Sequence, residues 1–419
     1  MSGDPVALAA ELRSLVADPG SVRDAVAEIV ARVRAEGDAA VREYTQRFDT
    51  GGADPGPLAV AGEELDAAIE RLEPKVRAGL ERAAENVGRV AAAGLAADRV
   101  VGLEGGDHAR WEVTLRGVPV GRAAVYVPGG RAPYPSTVIM GVVTARVAEV
   151  ESVAVCAPPG SDGDIHPVIL AACRLAGASE VYQMGGAQAI AALAYGTESV
   201  SPVDVIVGPG NLYVQEAKYQ VLGQVGIDGF AGPSDLVVIA DAGADPSLVA
   251  LDLLAQGEHG PGTLVVGISD SRELLSAVAE EMASSPGTGA IRRLVAVEDL
   301  GGGLALAEAF APEHLELLGP DAEALAPLVS RAGCLFVGAA GGSAFGDYIA
   351  GSNHVLPTGG AARFASALSP AHFRRRFSEV RIGGAAEGLA RAAAPVARAE
   401  GFELHARSME ARVRQNGSS

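Results

Sequence analysis

AAVYVP (123–128), STVIMGVVTARVA (136–148) and ESVAVCAPP (151–159) form the stretch on which the fold turns. Short β-rich apolar runs alternate here with helical segments, and a helix near 164 to 176 follows. The rhythm continues through EVYQMG (180–185), AQAIAALAYG (187–196), VDVIVGPGN (203–211) and a helix near 211 to 222. Beyond a glycine-rich link at 223 to 233 it resumes with DLVVIAD (235–241), a helix from Pro246, TLVVGIS (263–269) and a helix near 270 to 284. RRLVAVE (292–298), a helix, HLELL (314–318), a helix from Asp321 and CLFVG (334–338) complete it. Strands that are apolar throughout are buried on both faces, as in a parallel sheet covered by helices. There are too many units for one sheet. The pattern therefore predicts an α/β protein of two doubly wound, Rossmann-like modules meeting near 233.

Outward from this region the texture changes. Residues 22 to 48 read as two helices, with Val26, Ile29, Val30 and Val33 at helical spacing and Gly37-Asp38 as the break. Residues 50 to 61 read as a loop. Helical patterning returns from about 62 to 92, with Pro74 suited to a first turn. Residues 100 to 120 are polar and β-like and hold the only tryptophan, Trp111. The expected division places 1–125 with 235–365 in the first module and 126–234 in the second. The remainder, 366–419, reads as a helical tail with an arginine-rich stretch and a final helix near 405 to 415. It has little apolar surface of its own, so it is expected to dock on another domain or subunit.

Composition narrows the function. The chain has 419 residues, 48% of them hydrophobic, and a net charge of −19. No basic run exceeds the three arginines at 374 to 376, which argues against nucleic acid and against an anionic membrane surface. The amino terminus carries no basic export signal, and no apolar run is long enough to span a bilayer. Cys156, Cys173 and Cys334 are scattered in apolar contexts and read as reduced, buried thiols of a cytoplasmic protein.

No G-x-G-x-x-G occurs. Glycine turns instead follow strands directly, in VPGG (127–130), MGGAQ (184–188) and VGPGN (207–211). Ligands of doubly wound sheets sit beyond the carboxyl ends of strands, where these turns fall. Tyr126, Gln188 and Asn211 are the side chains there able to hydrogen-bond a ribose or an amide; ordinary βα turns would use the same glycines for backbone geometry alone.

LDLLAQGEHGPGT (251–263) begins as an amphipathic helix and is broken by Gly257, Gly260 and Pro261, leaving Gln256, Glu258 and His259 bunched at the break. An amide, a carboxylate and an imidazole there could hold a cation or a polar substrate. Of the seven histidines, His108, His166 and His372 sit in plain polar contexts. His259, His314, His354 and His405 each stand near a chemically capable partner: Gln256 and Glu258, Glu313, Asp347 and Asn353, and Glu400 respectively.

Together with VRAEGDAAVREYTQRFD (33–49), an ordered series of motifs runs nearly from end to end: YVPGGRAPYPST (126–137), GGAQAIAALAYGT (185–197), GPGN (208–211), GPSD (232–235), QGEHGP (256–261), APEHLEL (311–317), GDYIAGSNHVLPT (346–358) and EGFELH (400–405). In this the chain resembles the histidinol dehydrogenases, zinc-dependent enzymes that close histidine biosynthesis. The resemblance implies oxidation of L-histidinol through the aldehyde to L-histidine with two turnovers of NAD. It implies one zinc ion per subunit held by Gln256, His259, Asp347 and His405. Zinc takes imidazole nitrogen and carboxylate oxygen readily. His314 would be the base that takes the alcohol proton, and Glu313 would activate water for the second oxidation. Ser234, His354 and Glu400 map onto substrate-contacting positions beside Gln256, His259, His314, Asp347 and His405. Tyr126, Gln188 and Asn211 map onto NAD-contacting ones in the second module. The tail carrying Glu400 and His405 is expected to reach into the neighbouring site of a homodimer. Where the family often has a non-glycine and an aspartate, this chain has Gly257 and Gly260, neither an expected ligand. Other readings remain at this point: a relative oxidising another polar alcohol such as a sulfonated diol, a zinc hydrolase, for which no HExxH is present, or a binding protein without turnover.

Overall fold

The computed structural model describes residues 4–16, 19–105, 109–129, 132–229, 232–285 and 287–415. The chain begins with helix α1 (Pro5–Ser14), capped by the Asp4 side chain, which accepts from the Val6 amide at 3.0 Å. Four amphipathic helices follow: α2 (Arg23–Glu36), α3 (Asp38–Phe48), α4 (Gly62–Arg71) and α5 (Pro74–Ala93). Val26, Ile29, Val30 and Val33 bury as one stripe of α2, as their spacing predicts. Strands β1 (Arg99–Glu104) and β2 (Arg110–Pro119) come next and pair antiparallel.

The alternating region then forms two parallel sheets. The first contains β3 (Arg122–Tyr126), α6 (Pro135–Val147), β4 (Ser152–Ala157), α7 (Pro167–Ala176), β5 (Glu180–Gln183), α8 (Gly186–Tyr195), β6 (Val205–Val207), α9 (Leu212–Val221) and β7 (Gly226–Ile227). Its strand order is β5-β4-β3-β6-β7. The second contains β8 (Asp235–Ala240), α10 (Pro246–Gly257), β9 (Leu264–Ser269), α11 (Arg272–Ala283), β10 (Ile291–Ala296), α12 (Leu300–Phe310), β11 (His314–Leu318), α13 (Pro320–Glu323), β12 (Cys334–Val337) and α14 (Ser343–Tyr348). Its order, β10-β9-β8-β11-β12, repeats the same plan. Every residue of β6, β8, β9 and β11 is buried, which is why these strands read as unbroken apolar runs.

The amino-terminal helices depart from the expected grouping of 1–125 with 235–365. Helices α2 and α3 pack on α8, α2 also meets α9, and α4 and α5 pack on α7 and α6. Helix α1 instead packs on α12 of the other sheet. Helical periodicity tells that a helix has a face to bury, not which sheet will bury it. The module boundary drawn at 125/126 also falls inside β3.

Two compact units result. One holds both parallel sheets and runs through Gly94 and over Val120–Phe373. The other joins Leu95–Pro119 to the chain from Arg374 onward. In it β13 (Arg374–Arg381) pairs antiparallel with β2, giving the sheet β1-β2-β13, and α15 (Ala386–Ala399) packs on α16 (Glu403–Gln415). The tail is therefore not helical throughout: the arginine-rich stretch opens a strand. All three cysteines are free, Cys156 and Cys173 buried and Cys334 partly so. Among the described residues no helix is long and apolar enough to cross a membrane.

Candidate active site

The two parallel sheets of the first unit share a cavity of about 550 Å³. The first sheet presents the carboxyl ends of its strands there, through Pro128 and Gly208–Asn211. The second presents the opposite ends: Ser234 precedes β8, Thr263 precedes β9, and Glu313 and His314 open β11. Half of the cavity thus follows the general rule for ligands of open α/β sheets and half inverts it.

Helix α12 ends at Ala311, whose φ of +51° is left-handed, unusual for a residue with a side chain. The turn brings Glu313 and His314 into the sheet, both buried. Across adjacent strands Glu313 and Asp235 exchange bonds: the Glu313 amide donates to Asp235 Oδ1 at 2.7 Å, and the Asp235 amide donates to Glu313 Oε2 at 3.0 Å. Burial pushes the Glu313 carboxyl up to about 7, with Asp235 and Asp347 adding to it and His314 opposing. His314 Nδ1 lies 3.7 Å from Glu313 Oε2 and has no hydrogen-bond partner. Burial works against a charged His314 ring, but the Glu313 and Asp347 carboxylates outweigh it and raise the group to about 9. A buried imidazole flanked by carboxylates can accept a proton and pass it on.

Helix α10 carries Gln256, which is not among the cavity-lining residues, and stops at Gly257, with Gly260 and Gly262 in positive φ beyond it. Gln256 is buried and its Nε2 has no partner. His259 Nε2 faces Asp347 Oδ2 at 4.0 Å. Burial works against the Asp347 charge, yet His259 and His314 hold its carboxyl well below the usual range. Among the described residues no three of His, Cys, Asp or Glu converge on one point. The facing pair nonetheless suits a cation, an imidazole opposite a carboxylate; the unpartnered atom of Gln256, three residues upstream of His259, is its Nε2, a hydrogen-bond donor and not the oxygen a metal would take. His354 supports Asp347 from below, its Nδ1 2.9 Å from the Asp347 carbonyl oxygen and its Nε2 3.2 Å from Thr137 Oγ1. Burial keeps that ring's pKa low.

Asn211, Ser234, His259, Glu313, His314, Asp347 and His354 all line the cavity. Asn211 also caps α9, accepting from the Tyr213 and Val214 amides at 3.1 Å. Tyr126 and Gln188 do not line it. Both are buried with their head groups engaged: Tyr126 Oη accepts from the Gly186 amide at 3.1 Å, and Gln188 Nε2 donates to Asp49 Oδ2 at 3.3 Å. Glu400 follows α15 and His405 lies in α16 of the second unit, where both are exposed and the His405 ring is 5.2 Å from that of Phe402. His166 caps α7 and His372 bonds within its own turn, matching their plain reading. His108 lies outside the described residues, as do Gly130 and Arg131 of the YVPGGRAPYPST motif.

Sequence reasoning passed over several supports. Lys218, fully buried in α9, donates to the Gly208 carbonyl at 3.0 Å and to Asp228, whose other oxygen accepts from the Gly208 amide at 2.7 Å. This clamp fixes the GPGN turn. Gly208 has a φ of +117° and lies so close to Tyr126 O that no side chain fits. Glu316, on the same face of β11 as His314, accepts from the Ser343 amide at 2.5 Å, and burial pushes its carboxyl up to about 8. Acidic residues inside strands that are otherwise apolar, Asp235 and Glu316, were the available signal.

The sequence model for "Histidinol dehydrogenase" matches residues 13–413. Histidinol dehydrogenase of Parasynechococcus marenigrum is 45% identical, covering 96% of this chain and 93% of its own length. That of Pseudomonas aeruginosa is 42% identical, covering 94% and 91%. The crystal structure of histidinol dehydrogenase from Elizabethkingia anophelis superposes with a TM-score of 0.88 at 30% identity, over 95% of this chain and 93% of that one. With these relatives, the paired α/β modules define an oxidoreductase, a dehydrogenase. The chain belongs to the histidinol dehydrogenase family.

Proposed function

We propose that the chain oxidises L-histidinol to L-histidine through the aldehyde with two molecules of NAD, the last step of histidine biosynthesis, in the cytoplasm. The observation that carries this reading is the Glu313–His314 pair, buried together at the cavity with Asp347 on the far ring nitrogen. In the first half His314 takes the hydroxyl proton as hydride leaves the carbinol carbon for the nicotinamide. In the second, Glu313 takes a proton from water as it adds to the aldehyde. The hydrate then gives up its hydride and the carboxylate forms. A carboxyl whose affinity for protons sits near neutrality suits this exchange. Asn211 and the clamped GPGN turn form the cofactor's wall, with Tyr126 and Gln188 behind it, and Ser234 and His354 flank the substrate. A zinc ion held by Gln256, His259, Asp347 and His405 would orient the substrate's imidazole and amine and neutralise the Asp347 charge that favours protonated His314. Glu400 and His405 would come from a partner copy, which makes the working form a homodimer.

The test is NAD reduction by the purified protein with L-histidinol, with and without a chelator. Two NADH per substrate, lost on chelation and restored by zinc, is the expected result. Turnover of another polar alcohol but not of histidinol would move the chain to a sister activity.

A further inference from the structure

We propose that Arg13 of α1 is a positioning residue for the second oxidation, holding Asp235 so that Asp235 in turn holds Glu313. The inference rests on the role of Glu313 given above. Arg13 reaches a strand 222 residues away, its Nη1 lying 2.5 Å from Asp235 Oδ2. Its Nη2 donates to the Phe310 and Ala311 carbonyls at 2.8 and 3.2 Å, and the guanidinium carbon sits 3.5 Å above the Phe310 ring centroid. One side chain thus pins two things at once. It grips the left-handed Ala311 corner that delivers Glu313, and it grips the buried carboxylate that trades hydrogen bonds with Glu313.

Electrostatics points the same way. Asp235 is 1% exposed and stands directly beside Glu313. Removing the cation leaves two buried acids side by side, each disfavouring the other's ionised form. The arrangement also calls for arginine rather than lysine, since a planar fork can serve a carboxylate and two carbonyls together. Arg13 is not among the residues lining the cavity, so it acts through Asp235 and not by touching substrate.

The experiment compares R13M, R13K and the double variant R13M/D235N with the parent dimer. Three quantities are read: the single-turnover rate of the first hydride from L-histidinol, kcat and KM for the aldehyde, and the thermal midpoint. R13M is expected to lower kcat for the aldehyde about tenfold or more, with the first hydride rate changed by less than about threefold. R13K should fall between R13M and the parent. R13M/D235N should recover most of the loss, because it removes the stranded carboxylate along with the cation. Equal loss in both halves without recovery in the double variant would overturn the proposal. Should the parent oxidise neither alcohol nor aldehyde, the functional reading fails separately. The positioning claim is then read without turnover, from the ¹³C-carboxyl resonance of Glu313, assigned with E313Q. It should titrate at higher pH in R13M and return in R13M/D235N; an unmoved resonance refutes the link.

Discussion

Asp347 Oδ1 lies 3.5 Å from His314 Nε2, at the ring nitrogen opposite the one facing Glu313. The imidazole is therefore held between carboxylates, and its folded proton affinity, near 9, exceeds the usual 6.5. Such a group adds stability that is complete below about 6.5 and is lost as pH rises through about 9. Glu313 has the same sign, raised from 4.5 to about 7: its contribution is present below 4.5 and gone above about 7. Asp347, held low, has the opposite sign and contributes above 3.8. The thermal midpoint of chelator-treated protein should thus decline between pH 4.5 and 9; Glu313→Gln should flatten the part between 4.5 and 7 and, because the Glu313 carboxylate helps hold the His314 proton, also weaken the part above it. An unchanged lower limb in that variant would contradict the assignment.

Glu313→Gln keeps the side chain's shape and removes its capacity to take a proton. Aldehyde oxidation should slow by about 10²-fold or more, while the first hydride transfer from histidinol changes far less. Stopped-flow measurement of the two NADH phases separates them, and equal slowing of both would count against a role in activating water.

His259 and Asp347 face each other at 4.0 Å without a hydrogen bond between them. His259→Asn should leave the purified protein without zinc and without turnover. Full metal content by elemental analysis in that variant would remove His259 from the ligand set.

Glu400 follows α15 and His405 lies on α16, both in the second unit, and neither is among the cavity-lining residues. If a partner supplies them, mixing an inactive His405→Asn chain with an inactive His314→Ala chain creates hybrids with one intact site. At full exchange about a quarter of all sites should be active. No activity despite exchange shown by mass spectrometry would mean that each chain completes its own site.

Lys218 and Asp228 are a buried ion pair, and Lys218→Met leaves the carboxylate unpaired. Unfolding by denaturant should show a loss of about 3–5 kcal/mol. Lys218→Met with Asp228→Asn should lose less, and equal losses would show that the charges do not interact.

The parallel modules were legible because their strands are apolar on both faces, whereas the roles of Glu313 and His314 came from the family resemblance, since a polar pair ahead of an apolar run can equally be a surface pair entering a strand. The β1-β2-β13 sheet was not, because β13 carries RRRFSEVR, a polar segment whose partner lies far back in the chain. Nor could spacing show that Tyr126 and Gln188 turn inward: a residue at a strand end or helix start can face a ligand or the core, and only packing decides. In the sequence Asp235 is the last letter of GPSD and the first of an apolar run. Its significance comes from Arg13 and Glu313, one on a distant helix and one on a neighbouring strand, and pairing across such distances has no local signature.

Strand β2 waits for β13 across most of the polypeptide; the Arg374 side chain, for example, bonds the Gly117 carbonyl, 257 residues earlier. On a ribosome adding about 5–20 residues per second, the β1-β2 hairpin emerges some 13 to 50 s before its third strand exists. For that interval β2 presents an open edge, able to join the edge of another nascent copy. Truncation anywhere between residues 119 and 374 would make the interval permanent. Chains cut short by damaged messages are thus the ones most exposed to aggregation, even when both parallel sheets have been made in full.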